Sequence, residues 1–359
     1  MTPSDPAPAA DQGERRLPVE RGVVRARPET GGGGATPSFA DLGRGSLDPS
    51  AVADRTGGRT ASPAEPAPTV IGGRLFSWGE RTHVMGIVNV TPDSFSGDGL
   101  LAERSAMGPN GVVNRAVALA RRMADEGADL VDVGGESTRP GHSTVDAAEE
   151  GRRVVPVVAA IHEALPELPI SVDTTKPSVA EAALAAGAAM LNDVWGVAAD
   201  DGLIRLAAER GVPIVIMHNR SEANYRNVVV EVLADLESAV ERALAAGLRV
   251  EAILVDPGFG FGKAPRHNLE LLAGLGHLRL LGRPIVLGTS RKSTLGKVLD
   301  LPAEERLEAT LATTALAAQA GVDIVRVHDV QPNVRVARMA DAIVRGRWPA
   351  EARFEGGPR

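Results

Sequence analysis

The chain has 359 residues, with 39 Lys and Arg against 46 Asp and Glu, a net charge of -7 and no cysteine. Disulfides, thiolate metal sites and a cysteine nucleophile are excluded, so function must rest on carboxylates, amides, His, Lys and Arg. The negative balance argues against nucleic acid as a partner, while a local basic pocket for a small anion stays open.

Residues 1–68 are rich in Pro, Gly, Ala, Arg and Ser and lack periodic large apolar side chains. Such a segment cannot offset its chain entropy and is expected to be a disordered N-terminal extension. A transit peptide is disfavoured by Asp5, Asp11, Glu14, Glu20 and Glu29. No run approaches the roughly 18 apolar residues of a membrane span, and no compact signal-peptide segment opens the chain, so a cytoplasmic protein without membrane contact is expected. Residues 69–348 form the expected folded domain, and 349–359 a short flexible tail.

Within that domain, short β-branched runs alternate with Ala-rich helical stretches. The predicted strands are 84–90, 130–133, 170–172, 190–191, 213–217, 252–255, 284–287 and 323–327. The predicted helices are 114–126, 145–165, 178–186, 203–210, 228–246, 268–275 and 307–320. Gly127, Gly187, Gly211, Gly247 and Gly321 stand where left-handed helix caps are wanted. Eight strands with crossover helices over this length predict an α/β fold, a (β/α)8 TIM barrel, whose active rim is the C-terminal end of the strands. The rival open doubly wound sheet lacks its Gly-x-Gly-x-x-Gly fingerprint after the first strand.

The strand ends are polar. Asn89 closes strand one and opens a Gly-rich loop through Gly99; its amide oxygen could face a metal or phosphate. A second loop, Gly134-Gly135-Glu136-Ser137-Thr138-Arg139-Pro140-Gly141, has the same character, and two such loops over one rim suggest lids. Asp173, Asn192 with Asp193, and Asp256 follow strands three, four and six. Singly each could be a helix cap; together they supply acceptors for an amino-pyrimidine edge. Met217-His218 is either pocket wall or a satisfied structural histidine. Gly258-Phe259-Gly260-Phe261-Gly262-Lys263 is not a Walker loop, because Pro257 and Ala264 stand at required positions, and it is read as a close turn that sets Phe261 against a flat ligand. Ser290-Arg291-Lys292-Ser293 opens a helix and offers an anion site. Arg326 and His328 alternate on strand eight and face one side, either toward a diphosphate or in a salt bridge with Asp329 or the helix layer.

In order, Met85–Ser96, Asp132–Gly141, Ser171-Val172-Asp173-Thr174, Asn192-Asp193-Val194, Asp256–Lys263, Ser290–Ser293 and Arg326–Val330 resemble the dihydropteroate synthase family across nearly all of the chain after residue 70. The resemblance implies a TIM-barrel transferase of folate biosynthesis, typically a homodimer. It would join 6-hydroxymethyl-7,8-dihydropterin diphosphate to 4-aminobenzoate with the help of magnesium and release diphosphate. It further implies that Asp173, Asn192, Asp256 and Lys292 hold the pterin, that Asn89 contacts magnesium and diphosphate, and that Arg326 and His328 hold the leaving diphosphate. Thr138, Arg139 and Ser293 would surround the aminobenzoate. The first loop reads Ser96-Gly97-Asp98-Gly99 where the family has Ser-Asp-Gly-Gly, which displaces its carboxylate by one position. Two alternatives remain: a pterin-binding methyltransferase using methyltetrahydrofolate, for which the basic segments at strands seven and eight have no use, and a catalytically silent paralogue.

Overall fold

The computed structural model describes residues 65–91, 109–136, 145–197 and 201–346. Residues 1–64 of the expected 1–68 tail, the expected tail 349–359, the first loop from Pro92 to Gly99 with Asp98, and Thr138 and Arg139 of the second loop lie outside these residues.

A β-hairpin that the sequence pattern did not announce comes first. β1 (Thr69–Ile71) pairs antiparallel with β2 (Arg74–Phe76). Gly72 and Gly73 turn between them at φ 58° and 77°, the two-residue turn that glycine permits without Cβ strain.

The barrel follows as β3 (His83–Asn89), α1 (Pro109–Asp125), β4 (Leu130–Gly134), α2 (Ala147–Ala164), β5 (Ile170–Asp173), α3 (Pro177–Ala185), β6 (Met190–Asp193) and α4 (Gly202–Arg210). It continues with β7 (Ile214–Met217), α5 (Val228–Ala245), β8 (Ile253–Asp256), α6 (Pro265–Ala273), β9 (Val286–Leu287), α7 (Ser293–Leu299), α8 (Leu307–Ala320), β10 (Ile324–Val327) and α9 (Val330–Arg345). The eight strands from β3 to β10 are parallel neighbours, and an isolated bridge between Val255 and Ile285 joins β8 to β9. A backbone bond from Val255 N to Pro284 O at 2.9 Å forms part of that bridge. Pro284 has no N–H to return, which shortens β9 from the expected 284–287. The five predicted glycine caps all lie at positive φ.

Two differences from the sequence reading matter for the site. β4, β5, β6 and β8 run one or two residues further than expected, so that Asp173, Asn192, Asp193 and Asp256 belong to the strands themselves. The last helix, α9, went unpredicted although Val330, Val334 and Ala337 recur at helical spacing on its buried face. Pro332 sits in its first turn, where a missing N–H costs nothing. Among the described residues no helix is long and apolar enough to cross a membrane.

Alternate strand positions divide the core. Val84, Val88, Val131, Val133, Val172, Leu191 and Ile214 face the helix layer, while Met85, Leu130, Met190, Val215, Leu254, Val286 and Ile324 fill the barrel's interior near its N-terminal end. Ile71, Phe76 and Trp78 join this inner cluster, so the hairpin supplies its plug. Beside the plug, the buried Asp129 accepts from Arg81 Nη1 (2.9 Å), Arg74 Nη2 (3.2 Å) and Val84 N (2.9 Å). Burial alone would raise its pKa, but hydrogen bonds and charge from His83 and Arg81 hold it well below the ordinary carboxylate range.

A depressed folded-state pKa contributes stability above the unfolded value of about 4 that is lost as pH falls below it. Asp129→Asn should therefore lower unfolding free energy by about 3 kcal/mol at pH 7 and flatten its decline between about pH 5 and pH 2. Urea titrations across that range check this; a wild-type acid limb retained by the variant would refute it.

Candidate active site

The next inward positions along β4, β5, β6, β8 and β10 are polar, and the register sets these strand ends side by side. Ile87 is level with Asp132, Asp132 with Ser171, Gly134 with Asp173, Asp173 with Asn192, and Met217 with Asp256. The interior thus changes from apolar to charged along the barrel axis.

At its centre lies Arg326. Its Nε donates to Asp132 Oδ2 at 2.6 Å and its Nη2 to Asp173 Oδ2 at 2.9 Å, while Asn192 Nδ2 donates to the same Asp132 oxygen at 3.0 Å. Burial works against the arginine charge, but the two carboxylates outweigh it and raise its pKa. Burial pushes Asp173 up to about 7, opposed by Arg326 and assisted by Asp132, Glu150 and Asp193. The other carboxylate oxygens, Oδ1 of Asp132 and of Asp173, are buried without a hydrogen-bond partner. Bare acceptors of this kind are costly, and Asp173, unlike the fully buried Asp132, lines a cavity from which a ligand's N–H donors could approach it.

Lys292 approaches from the loop after β9. Its ammonium donates to the Phe259 carbonyl and lies 4.3 Å from the centre of the Phe261 ring. Burial pushes it down to about 7, opposed mainly by Asp256. Asp256 is itself raised by burial, and its Oδ1 accepts from Gly258 N at 2.7 Å. The turn that carries Phe261 is compact because Gly258, Gly260 and Gly262 all hold positive φ. A Cβ on Gly258 would stand 1.8 Å from the His218 carbonyl oxygen, so only glycine fits.

Above this floor is a cavity of about 280 Å³ lined by Asn89, Thr91, Glu136, Asp173, Phe261, Ser290, Arg291, Lys292, Ser293, Arg306, Arg326 and His328, among others. His328 Nδ1 lies 2.9 Å from Ser290 Oγ, which also accepts from His328 N at 3.2 Å. Arg291, at φ 58°, is held bidentate by Asp329 at 3.1 and 2.7 Å. Glu136 pairs with Lys176, which also reaches the buried Glu150 at 2.5 Å and so anchors the base of the second loop. A larger cavity, about 1100 Å³, lies at the hairpin end beside Asp129 and Asp341; its principal charges there are paired with one another, and it is remote from the polar strand ends.

The geometry thus brings Asn89, Asp173, Phe261, Lys292, Ser293, Arg326 and His328 to one cavity. Asn192, Met217 and Asp256 are buried and lie off its lining; Asn192 connects to it through Asp132 and Asp256 through the Gly258 turn, while Met217 is only level with Asp256 on the neighbouring strand. Asp329 pairs with Arg291 and not with Arg326 or His328 as one alternative held. Asp193 turns away and caps Trp195 N at 2.9 Å. His218 is fully buried behind β7, the structural outcome of its two readings. The helix opened by Ser293 has only seven residues, so its dipole adds little to the basic side chains. Asp132 was missed as a site residue. Its signal was an acid within the apolar run Leu130-Val131-Asp132-Val133, at an inward-facing position.

The family model for pterin binding enzymes matches residues 85–328. The chain is 47% identical over 276 residues to the dihydropteroate synthase of Clostridium beijerinckii, covering 77% of this chain and 99% of that protein. It is 48% identical over 269 residues to that of Bacillus subtilis, covering 75% and 91%. A dihydropteroate synthase from Clostridium difficile, solved in the presence of pteroic acid, superposes with TM-score 0.70 at 48% identity over 75% of this chain and 99% of that one. The Xanthomonas albilineans synthase in complex with 7,8-dihydropteroate superposes with TM-score 0.68 at 40% identity, over 77% and 98%. With the charged floor, the glycine turn and the basic rim all falling inside the matched segment, the chain belongs to the dihydropteroate synthase family of pterin-binding enzymes.

Proposed function

We propose that this site condenses 6-hydroxymethyl-7,8-dihydropterin diphosphate with 4-aminobenzoate, giving 7,8-dihydropteroate and diphosphate in folate biosynthesis. The observation that carries the reading is the Asp132–Arg326–Asp173 cluster, in which Asp173 and Arg326 line the cavity beside Lys292, Asp132 lies buried beneath them, and each carboxylate keeps one oxygen without a partner among the described residues. An aminopyrimidine edge presents N–H donors that such oxygens accept, and Lys292 can donate to a ring nitrogen or carbonyl. Asn192 and Asp256 buttress that floor, and Phe261 offers a ring face to the flat heterocycle.

In the reaction the C–O bond to diphosphate breaks and its electron pair leaves with the phosphate oxygen. The dihydropterin is electron-rich, so positive charge left on the methylene carbon delocalises into the ring. The aromatic amine then forms the C–N bond and loses a proton. No strong base is needed, because the attacking amine becomes acidic once bonded. His328, Ser290 and Ser293 line the rim where the departing charge develops, and donors fixed in place stabilise such charge without reorganising. Thr138, Arg139 and Ser293 are assigned to the aminobenzoate.

Magnesium is part of the same reading. Among the described residues no group of three His, Asp or Glu side chains is arranged to hold a metal ion. The half-buried Asn89 amide supplies one hard oxygen donor at the cavity. That fits an ion held chiefly by substrate diphosphate and water, which would neutralise the leaving group's charge. We assign a homodimer as well, supported by the exposed Leu316, Met339 and Ile343 on α8 and α9.

Purified protein supplied with both substrates and magnesium should release one diphosphate per dihydropteroate. Lys292→Ala and Arg326→Ala should each lower kcat/KM by roughly 10²-fold or more, since each removes a desolvated charged contact. Absence of diphosphate release by the wild type at every magnesium concentration would sink the synthase reading. Asn89→Ala should weaken binding of the pterin diphosphate about tenfold in calorimetry with magnesium and hardly at all without it, one lost ion contact being worth about that much. Ile343→Glu should move the sedimentation mass from two chains to one; an unchanged mass would relocate the interface.

A further inference from the structure

The Gly258–Lys263 turn is pressed onto the chain that leaves β7. A Cβ on Gly262 would stand 2.1 Å from Arg220 O, as one on Gly258 would from His218 O at 1.8 Å, so backbone packs directly on backbone. Beneath this contact runs the side chain of Lys263. Its ammonium reaches His218 Nδ1 at 2.9 Å, Gly258 O at 3.0 Å and Phe261 O at 3.1 Å. An ammonium has three N–H donors, and each meets an acceptor.

His218 Nδ1 can accept only if the ring is neutral and carries its proton on Nε2. Asp235 fixes that tautomer, with its Oδ2 3.0 Å from Nε2. The same carboxylate oxygen accepts from Arg220 Nε and Nη2 at 2.9 and 2.7 Å, and Arg220 Nη1 reaches Glu231 Oε2 at 2.8 Å. Burial, followed by the Lys263 charge, pushes His218 down to about 4, which agrees with a neutral ring. A continuous polar chain therefore leads from α5 through His218 to the underside of the turn.

The upper side of the turn is the cavity wall. Phe259 O accepts from Lys292, the Phe261 ring lies against the Lys292 ammonium, and Gly260 N donates to Asn268 Oδ1 at 2.8 Å. Asn268 Nδ2 in turn donates to Thr294 Oγ1 at 2.9 Å, in the helix that Ser293 opens. Two lysines thus grip the carbonyls of one glycine-rich turn from opposite faces. An apolar side chain at position 263 would leave His218 Nδ1 and the Phe261 carbonyl without the donor they have here, while the Gly258 carbonyl would keep only Phe261 N at 3.1 Å.

We infer that Lys263 is a positioning residue for the pterin half of the reaction, its ammonium riveting the turn to His218 so that Phe261 and Lys292 stand at the height the heterocycle requires. Lys263 touches no substrate. The inference rests on the assignment of this floor to the pterin, and it predicts a loss specific to that substrate.

The cysteine-free sequence makes a direct test available, since Lys263→Cys introduces a single thiol. The variant is alkylated in denaturant with 2-bromoethylamine, which rebuilds an ammonium at nearly lysine length, or with iodoacetamide, which does not, and is then refolded beside wild type treated alike. KM for the pterin diphosphate should rise about tenfold or more in the iodoacetamide product, with KM for aminobenzoate within about threefold of wild type, and the aminoethyl product should recover most of the loss. Lys263→Met, made without refolding, should show the same split. Equal rises in both KM values, no rise in either variant, or no difference between the two alkylated forms would overturn the inference while wild-type turnover stands. Wild type that neither turns over nor binds 6-hydroxymethylpterin in calorimetry would instead remove the functional reading, and this inference with it.

Discussion

A guanidinium largely withdrawn from water between two carboxylates is the constraint on which the upper barrel depends. Arg326 and its partners are separated by 194 and 153 residues in sequence, so the three charges meet only when β10 has closed against β3 and so come round to β4 and β5. None can be left behind: an unpaired buried charge costs several kcal/mol, whereas the set together roughly balances its desolvation. The cluster therefore contributes little net stability but demands one arrangement of strands. The apolar interior below it, plugged by Ile71, Phe76 and Trp78, supplies the stability that tolerates it.

Pairing alone leaves this cluster unfinished. Asp132 and Asp173 each spend one oxygen on Arg326 and keep the other bare, and burial has raised Asp173 toward neutrality. A site in this condition is poised for a neutral ligand rich in N–H groups, because each new hydrogen bond relieves a penalty already present in the free protein. Charged ligands would instead add to the buried charge. The diphosphate end of the proposed substrate accordingly belongs at the half-open rim, near Ser290, Ser293 and His328, where water and a metal ion can share its charge.

Much of this was legible in the sequence, for physical reasons. Parallel strands buried on both faces read as apolar runs, helices that return to the sheet end in left-handed glycines, and the last inward residue of several strands escapes the hydrophobic rule. Asp173, Asn192, Asp256 and Arg326 all stand at such ends. What was hidden depended on register or distance. The hairpin is too short for a pattern of three residues per strand to stand out, and the length of β9 was set by the missing donor of Pro284. Asp132 lay inside a strand, one inward step below the rim, where an acid is visible but its partner 194 residues away is not. The Lys263 clamp was likewise obscured, because its glycines suggested a turn while the acceptors that hold the lysine come largely from backbone carbonyls and from His218.

The vertical order of charge also fixes the direction of the proposed chemistry. Carboxylates lie lowest with Arg326 among them, Lys292 stands above, and the hydroxyl and imidazole groups form the rim. A pterin seated on the floor would direct its methylene carbon upward, so that the diphosphate leaves toward solvent while the positive charge left behind spreads into the heterocycle. The amine can then reach the carbon only from the rim side, from the direction of the second loop whose base Glu136 and Lys176 tie down. Departure, cation stabilisation and attack are thereby separated along one axis, and a barrel closed below by an apolar plug leaves water a single side from which to compete.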